Sequence, residues 1–300
     1  MKTQNYTKGI LWAAFASTMW GISGTILQFI SQTQNIPATW FLSVRTLGAG
    51  VILLLISWFR EGRHIFDLFK SWRLIGWLFA YALIGLMANL FTFYMSIKTG
   101  NAASATILQY LSPLFIVLGA LVFKHERPLK TDLIAFGIAL VGVFLAITKG
   151  NIHSLAVPMN SIIWGVLAGV TAACYVVLPR EIVAKHSPFV VLGWGMFISG
   201  VLFNLWHPFW SHTPVITGKL VLSISAVILV GTIFAFSSLL YSLNFAPSAV
   251  ISIVDALQPV VTFILSIIFF HLQISVMEVI GSILVVVAVY LLQRMGSSAT

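Results

Sequence analysis

Charge is what this chain has least of. Only 8% of its 300 residues are charged, and seven of those are acidic. A soluble domain carries roughly 25%. With 59% of positions hydrophobic, a water-facing surface is excluded and a bilayer is the expected solvent. Cysteine occurs once, at Cys174 inside an apolar run, so no intramolecular disulfide can form. There is no Walker-type glycine loop, and the longest connectors, 60–73, 149–159 and 208–218, are too short for a nucleotide-binding domain. ATP-driven transport by this chain alone is not expected. Six of the seven histidines (His64, His125, His153, His186, His207 and His212) fall at or near connectors, and His271 falls at a helix end. The run Lys124-His125-Glu126-Arg127 has no second ligand cluster at zinc-like spacing. No metal, cofactor or enzymatic site is expected. The formal charge of +9 does not form a stripe with interleaved aromatics, which argues against nucleic acid as a partner.

What the chain has is apolar runs long enough to cross a core of roughly 30 Å. The pattern predicts an all-α integral membrane protein of ten transmembrane helices, near 9–30, 38–59, 74–96, 102–123, 131–148, 160–179, 189–207, 219–241, 247–270 and 276–292. The first lacks a small-residue cleavage site and is read as a retained span. The residues after Arg294, Met295 to Thr300, read as a short polar tail. With the N-terminus placed in the cytoplasm, inner segments hold twelve Lys and Arg residues; outer ones hold only Lys98, Lys149 and Lys219. That bias predicts a multi-pass protein of the cell membrane with both termini cytoplasmic. Of the Lys and Arg residues, Arg45 alone lies in the interior of a predicted span.

The two halves are copies. Residues 85–125 align without a gap on 231–271, pairing Gly85 with Gly231, Pro113 with Pro259 and His125 with His271. Gly9-Ile10-Leu11-Trp12 likewise matches Ser161-Ile162-Ile163-Trp164, and the second helix of each half begins at a proline, Pro37 or Pro188. Repeats of five helices, 9–148 and 160–292, enter the membrane from opposite sides and are therefore expected to be inverted.

These residues carry a resemblance. Trp20-Gly21 in the first helix, Arg45 in the second, and the hairpin Tyr94-Met95-Ser96-Ile97-Lys98 … Leu111-Ser112-Pro113, with its copy Tyr241-Ser242-Leu243-Asn244 … Leu257-Gln258-Pro259, resemble the EamA-type members of the drug/metabolite transporter superfamily over about residues 9–292. The resemblance implies a secondary transporter of small metabolites such as amino acids, often outward, by alternating access. A carrier of cationic amines or drugs is the alternative, and a non-transporting membrane protein a more remote one. Expected partners are a small-molecule substrate, protons as a candidate coupling ion, and lipid, for a monomer or homodimer. The second half has Met196 where Arg45 would recur.

Candidate site residues are the polar groups that a bilayer makes expensive. Pro113 and Pro259 each displace a carbonyl four residues back, that of Gln109 and that of Asp255, which are themselves equivalents under the repeat alignment. Trp20, Asn89, Tyr94, Gln109, Tyr241, Asp255 and Gln258 are expected around a substrate. Arg45 is expected to tune Asp255, since both lie roughly 10 to 12 Å deep at 1.5 Å per residue. Trp40, Trp58, Trp72, Trp77, Trp206 and Trp210 suit an interfacial belt. Gly165 and Gly169, with Gly48, Gly50, Gly137, Gly142, Gly195 and Gly200, suit close helix approach.

The topology is checked with single cysteines in a Cys174-free background on intact cells. An impermeant thiol reagent is expected to label positions in 149–159 and to spare those in 60–73. Labelling of 60–73 from outside would reverse the orientation.

Overall fold

The computed structural model describes residues 6–125, 130–149, 151, 155–211, 213–246, 248–273 and 275–296. Lys2, Glu126, Arg127, His153, His212 and the tail from Ser297 lie outside them, as do the side chains of Lys124, Ser248, Ala249 and Arg294. Among the described residues every regular element is helical.

The rods are α1 (Tyr6–Thr33), α2 (Ala38–Glu61), α3 (Trp72–Thr99), α4 (Ala102–Phe123), α5 (Lys130–Thr148), α6 (Met159–Val177), α7 (Pro188–Trp206), α8 (Gly218–Ser242), α9 (248–270) and α10 (Val276–Gly296). Among the described residues seven helices are long and apolar enough to cross a membrane: α1, α3, α4, α7, α8, α2 extended to Lys70 and α6 extended to Val183. Elsewhere the apolar stretches are shorter: Leu133–Thr148, Leu257–Phe270 and Val276–Leu291. Met295 and Gly296, expected in a polar tail, continue α10 instead. The connector after α2 is a 3₁₀ helix, Gly62–Lys70, that buries Ile65 and Leu68 and receives the Trp194 N–H on the Ile65 carbonyl at 2.8 Å.

Helix termini follow local rules. Asn101 caps α4 by accepting the Ser104 N–H at 2.8 Å, and Thr217 caps α8. Ser275 and Glu278 form a reciprocal capping box at the start of α10. His125 and His271, equivalent in the repeat alignment, both end their helices in the left-handed conformation, at φ 56° and 50°. Two rods are also bulged at equivalent places. Tyr81–Met87 in α3 and Leu229–Phe234 in α8 are π-helical, each around its paired glycine, Gly85 or Gly231. Gly85 abuts Tyr175 of α6, and Gly231 abuts Ser23 of α1. An apolar pattern does not distinguish this one-residue insertion from ordinary α-helix, so it was not legible in the sequence.

Packing pairs α2 with α7 and α5 with α10, while α1 lies against α8 and α9, and α6 against α3 and α4. Hydrocarbon gives no driving force for apolar faces to meet, so close pairs rely on small residues. The α2–α7 crossing uses Gly50, whose missing Cβ would sit 2.5 Å from the Phe197 nitrogen, and Gly200, whose Cβ would sit 2.7 Å from that of Leu47. The α5–α10 crossing sets Gly142 and Gly281 against each other's carbonyls, within a stripe of buried Ala135, Ala139 and Ala146. Gly165 and Gly169 of α6 receive Leu108 and Phe115 of α4. Gly137 does not share this role: a Cβ there meets nothing within 4 Å, because the residue falls off the alanine stripe. Trp40 is buried, with its N–H on the Phe209 carbonyl at 2.7 Å. Trp58, Trp72, Trp206 and Trp210 are exposed, Trp72 by 88%.

Because a Cβ at Gly142 would stand 2.7 Å from a backbone carbonyl, Gly142→Ala is expected to destabilise by about 1 to 3 kcal/mol. Gly137→Ala is expected to be neutral or slightly stabilising. Thermal unfolding in detergent separates the two, and equal effects would contradict the assigned crossing.

Candidate functional site

The polar centre of the bundle is assembled at the interruption of α4. That helix stops at Gln109 and restarts at Ser112, with Pro113 at its first turn. The partner interruption in α9 lies between Asp255 and Leu257, with Pro259 just beyond. Two adjacent α4 side chains, Gln109 and Tyr110, leave the break toward different halves of the molecule.

Tyr110 reaches α9. Its hydroxyl donates to the Asp255 backbone carbonyl at 2.6 Å, the group that Pro259 displaces, and lies 3.2 Å from carboxylate Oδ2. Ser17 of α1 donates to Oδ1 at 3.1 Å. A tyrosine from one half and a serine from the same half therefore hold the acid of the other. Gln109 instead donates to Asn89 Oδ1 at 3.3 Å, and the Asn89 amide donates to the Ala168 carbonyl at 2.9 Å and the Thr171 hydroxyl at 3.2 Å. Thr92 closes this cluster at 3.2 Å from Thr171. Thr92 and Thr171 were missed because a threonine on an apolar helix ordinarily returns its hydroxyl to its own backbone. Both do so here as well.

An aromatic row runs beside these groups. Trp20 meets Phe236 at 5.1 Å between centroids, Phe236 meets Tyr175 at 6.3 Å, and Tyr175 meets Tyr81 at 5.8 Å, joining α1, α8, α6 and α3. Trp20 is fixed in place by its N–H on the Gly231 carbonyl at 3.1 Å, inside the α8 bulge. Phe236 and Tyr81 carried no polar or kink signal in the sequence.

The remaining predicted residues scatter. Tyr94 is buried, stacked on Phe41 at 5.3 Å, and donates to the Ile36 carbonyl at 2.8 Å. Its repeat counterpart region holds Tyr241, which is exposed and packs on Trp12 and Phe245. Gln258 is half-buried, and its carbonyl accepts the Thr262 hydroxyl at 3.0 Å. Arg45 does not approach Asp255. The acid is held by Ser17 and Tyr110, and among the described residues no carboxylate lies within 4.0 Å of the guanidinium.

The two ends of the bundle differ. At the end carrying Tyr6, a cavity of about 630 Å³ opens between α1, α8 and the adjoining ends of α2 and α7, lined by Trp12, Phe15, Arg60, Phe189 and Tyr241 among others. At the other end, Gln32 donates to the Ile97 and Gly100 carbonyls, at 2.7 and 2.6 Å, and Gln28 accepts the Ala102 N–H at 2.8 Å. These bonds tie α1 to the α3–α4 hairpin.

Interrupted helices, a cross-half polar junction and a membrane-length apolar bundle define the class of multi-helix membrane transporters. The model of the EamA-like transporter family matches residues 7–148 and again 159–294, and the chain belongs to that family, within the drug/metabolite transporter superfamily. An uncharacterized inner membrane transporter, YicL, of Salmonella typhimurium is 28% identical over 95% of both chains. A transporter of Archaeoglobus fulgidus is 22% identical over 94% of this chain and 97% of its own. A probable sugar phosphate/phosphate translocator of Arabidopsis thaliana is 22% identical over 80% of this chain and 61% of its own. A crystal structure with a TM-score of 0.64 at 18% identity covers 98% of this chain and 99% of that one, a likeness of fold.

Asn89 serves as donor and acceptor at once, so Asn89→Ala leaves the Gln109 amide without its acceptor and removes a donor to the Thr171 hydroxyl, while the Ala168 carbonyl keeps Thr171 at 3.2 Å. A loss of about 1 to 3 kcal/mol is expected, and Asn89→Asp should not restore it, because the aspartate cannot donate when ionised. Thermal unfolding of the two variants is the check; unchanged stability in both would show that the cluster carries no weight.

Proposed function

We propose that this chain is a secondary transporter that moves small metabolites such as amino acids across the cell membrane, outward, by alternating access between two inverted five-helix repeats, 9–148 and 160–292. The observation that carries this reading is the bond from Tyr110 to the displaced Asp255 carbonyl. Irregular backbone at membrane depth persists only where protein or water satisfies it, and here the other half of the molecule does so. Several features support the repeat arrangement: α2 packs on its counterpart α7, α5 on its counterpart α10, and the π bulges and left-handed histidine caps recur in register. In this reading all ten rods cross the bilayer, with both termini in the cytoplasm.

The substrate occupies the interior between the Gln109–Asn89–Thr171 cluster and the row Trp20, Phe236, Tyr175. Asp255 acts there as the titrating or cation-receiving acid, the only one among the predicted spans to lie beyond the first turns of a helix. With the end carrying Tyr6 inside, the 630 Å³ cavity is the cytoplasmic vestibule, and the Gln28 and Gln32 contacts are the closed outer gate. The aromatic row beside an acid also suits a cationic amine, which makes amine carriage the second reading.

Counterflow or efflux in proteoliposomes loaded with labelled amino acids tests the proposal. Asp255→Asn keeps shape and hydrogen bonding and is expected to abolish pH-gradient-driven movement while leaving the protein folded. Gln109→Ala is expected to lower the rate at least tenfold. Wild-type flux in both variants, or no flux of any amino acid or amine by the wild type, would contradict the reading.

A further inference from the structure

Arg45 is the cation that the account so far leaves without work. It is 7% exposed, and its Nε atom is buried with no hydrogen-bond partner. Among the described residues no acid answers it. Asp67, Glu181 and Glu278 sit in ion pairs in or beside connectors, Asp255 is held by Ser17 and Tyr110, and Glu61 is the last residue of α2; in the sequence, Glu126 and Asp132 fall at the limits of the predicted spans 102–123 and 131–148. A guanidinium held in the membrane interior costs several kcal/mol unless something answers its charge. Its direction is set by its neighbours on the same face of α2. One turn before it, Phe41 stacks on Tyr94 of α3, and one turn after it, Gly48 faces Ile228 of α8. Arg45 therefore points between α3 and α8, the helices that also carry Asn89 and the Gly231 anchor of Trp20.

We infer that Arg45 is the subsite for a carboxylate of the transported molecule, so that the preferred cargo is a small carboxylic acid or amino acid and not a simple amine. This deepens the transport reading given above and rests on it. The class follows from charge and shape. A guanidinium offers two parallel N–H donors that match one carboxylate. In the sequence every other Lys and Arg falls at the limits of the predicted spans or between them, so a phosphate dianion would bring one negative charge more than this interior can answer. The missing counterpart at Met196 makes the subsite single and places it in the first half only.

The test uses the full-length protein in nanodiscs and matched pairs of probes at constant ionic strength: acetate against acetamide, benzoate against benzamide, L-leucine against L-leucinamide, with inorganic phosphate as a further arm. At saturation at least one acid is expected to raise the melting temperature by about 5 °C while its amide does not. Arg45→Gln should remove that shift, and Arg45→Lys should keep part of it. Arg45→Gln should also melt no lower than wild type without ligand, since it deletes an unanswered buried charge. If Arg45→Gln does not fold, Arg45→Met provides the same comparison. Equal shifts for acid and amide in every pair, no shift from any acid, a shift that survives Arg45→Gln, or a larger shift from phosphate would each overturn the subsite. Flux of the same acids in proteoliposomes is scored separately: binding without flux would leave the carboxylate subsite standing and remove the transport reading, whereas flux that ignores Arg45 would do the reverse.

Discussion

A backbone carbonyl that cannot find its own helical partner is the constraint on which the centre of this molecule depends. Proline at 259 takes the Asp255 carbonyl out of the α9 ladder, and water is scarce at that depth. The Tyr110 hydroxyl answers it at 2.6 Å, from the point where α4 is itself interrupted ahead of Pro113. The two breaks thus meet through one hydrogen bond. The pairing also brings Asp255 beside Ser17 of α1, which in turn lies against α8 through the bulge that holds Trp20. Polar satisfaction, helix interruption and the aromatic row are a single connected solution.

Around that centre, close packing is delegated to residues with almost no side chain. The α2–α7 and α5–α10 pairs meet at glycines whose missing Cβ atoms would overlap backbone, so each pair is fixed in one register and behaves as a rigid unit. The contacts at the end opposite Tyr6 are of another kind. Gln32 and Gln28 bind the α3–α4 hairpin through a few side-chain hydrogen bonds, each worth about 1 kcal/mol net, which thermal motion can open and re-form. The rigid pairs thus tie the two halves together, while the breakable polar contacts lie within the first half, between α1 and the α3–α4 hairpin.

Much of this was legible in the sequence, and the reason is that apolar length and duplication are both linear signals. The helix limits follow from where apolar runs end, and the breaks follow from Pro113 and Pro259. The equivalence of Gln109 and Asp255 follows from a gapless alignment. What was not legible depends on direction. The face of Tyr94 that turns it into a buried brace is set by helix rotation, which the π bulges of α3 and α8 shift without leaving an apolar signature; the exposed Tyr241 is not its counterpart, since the gapless alignment pairs Tyr94 with Leu240. The same lack of facing information made Arg45 and Asp255 look like a pair because they share a depth. Depth fixes only one coordinate, and the acid had nearer donors in Ser17 and Tyr110.

The most direct test of the central junction is a double-mutant cycle between Tyr110→Phe and Pro259→Ala, read on melting temperature and on flux in proteoliposomes. Alanine at 259 returns a helical N–H to the Asp255 carbonyl, so if that carbonyl is what Tyr110 answers, the double variant will lose much less than the sum of the single losses, with a coupling of about 1 to 3 kcal/mol in stability. Strict additivity in stability and in flux would show that the two residues act independently and would contradict the account.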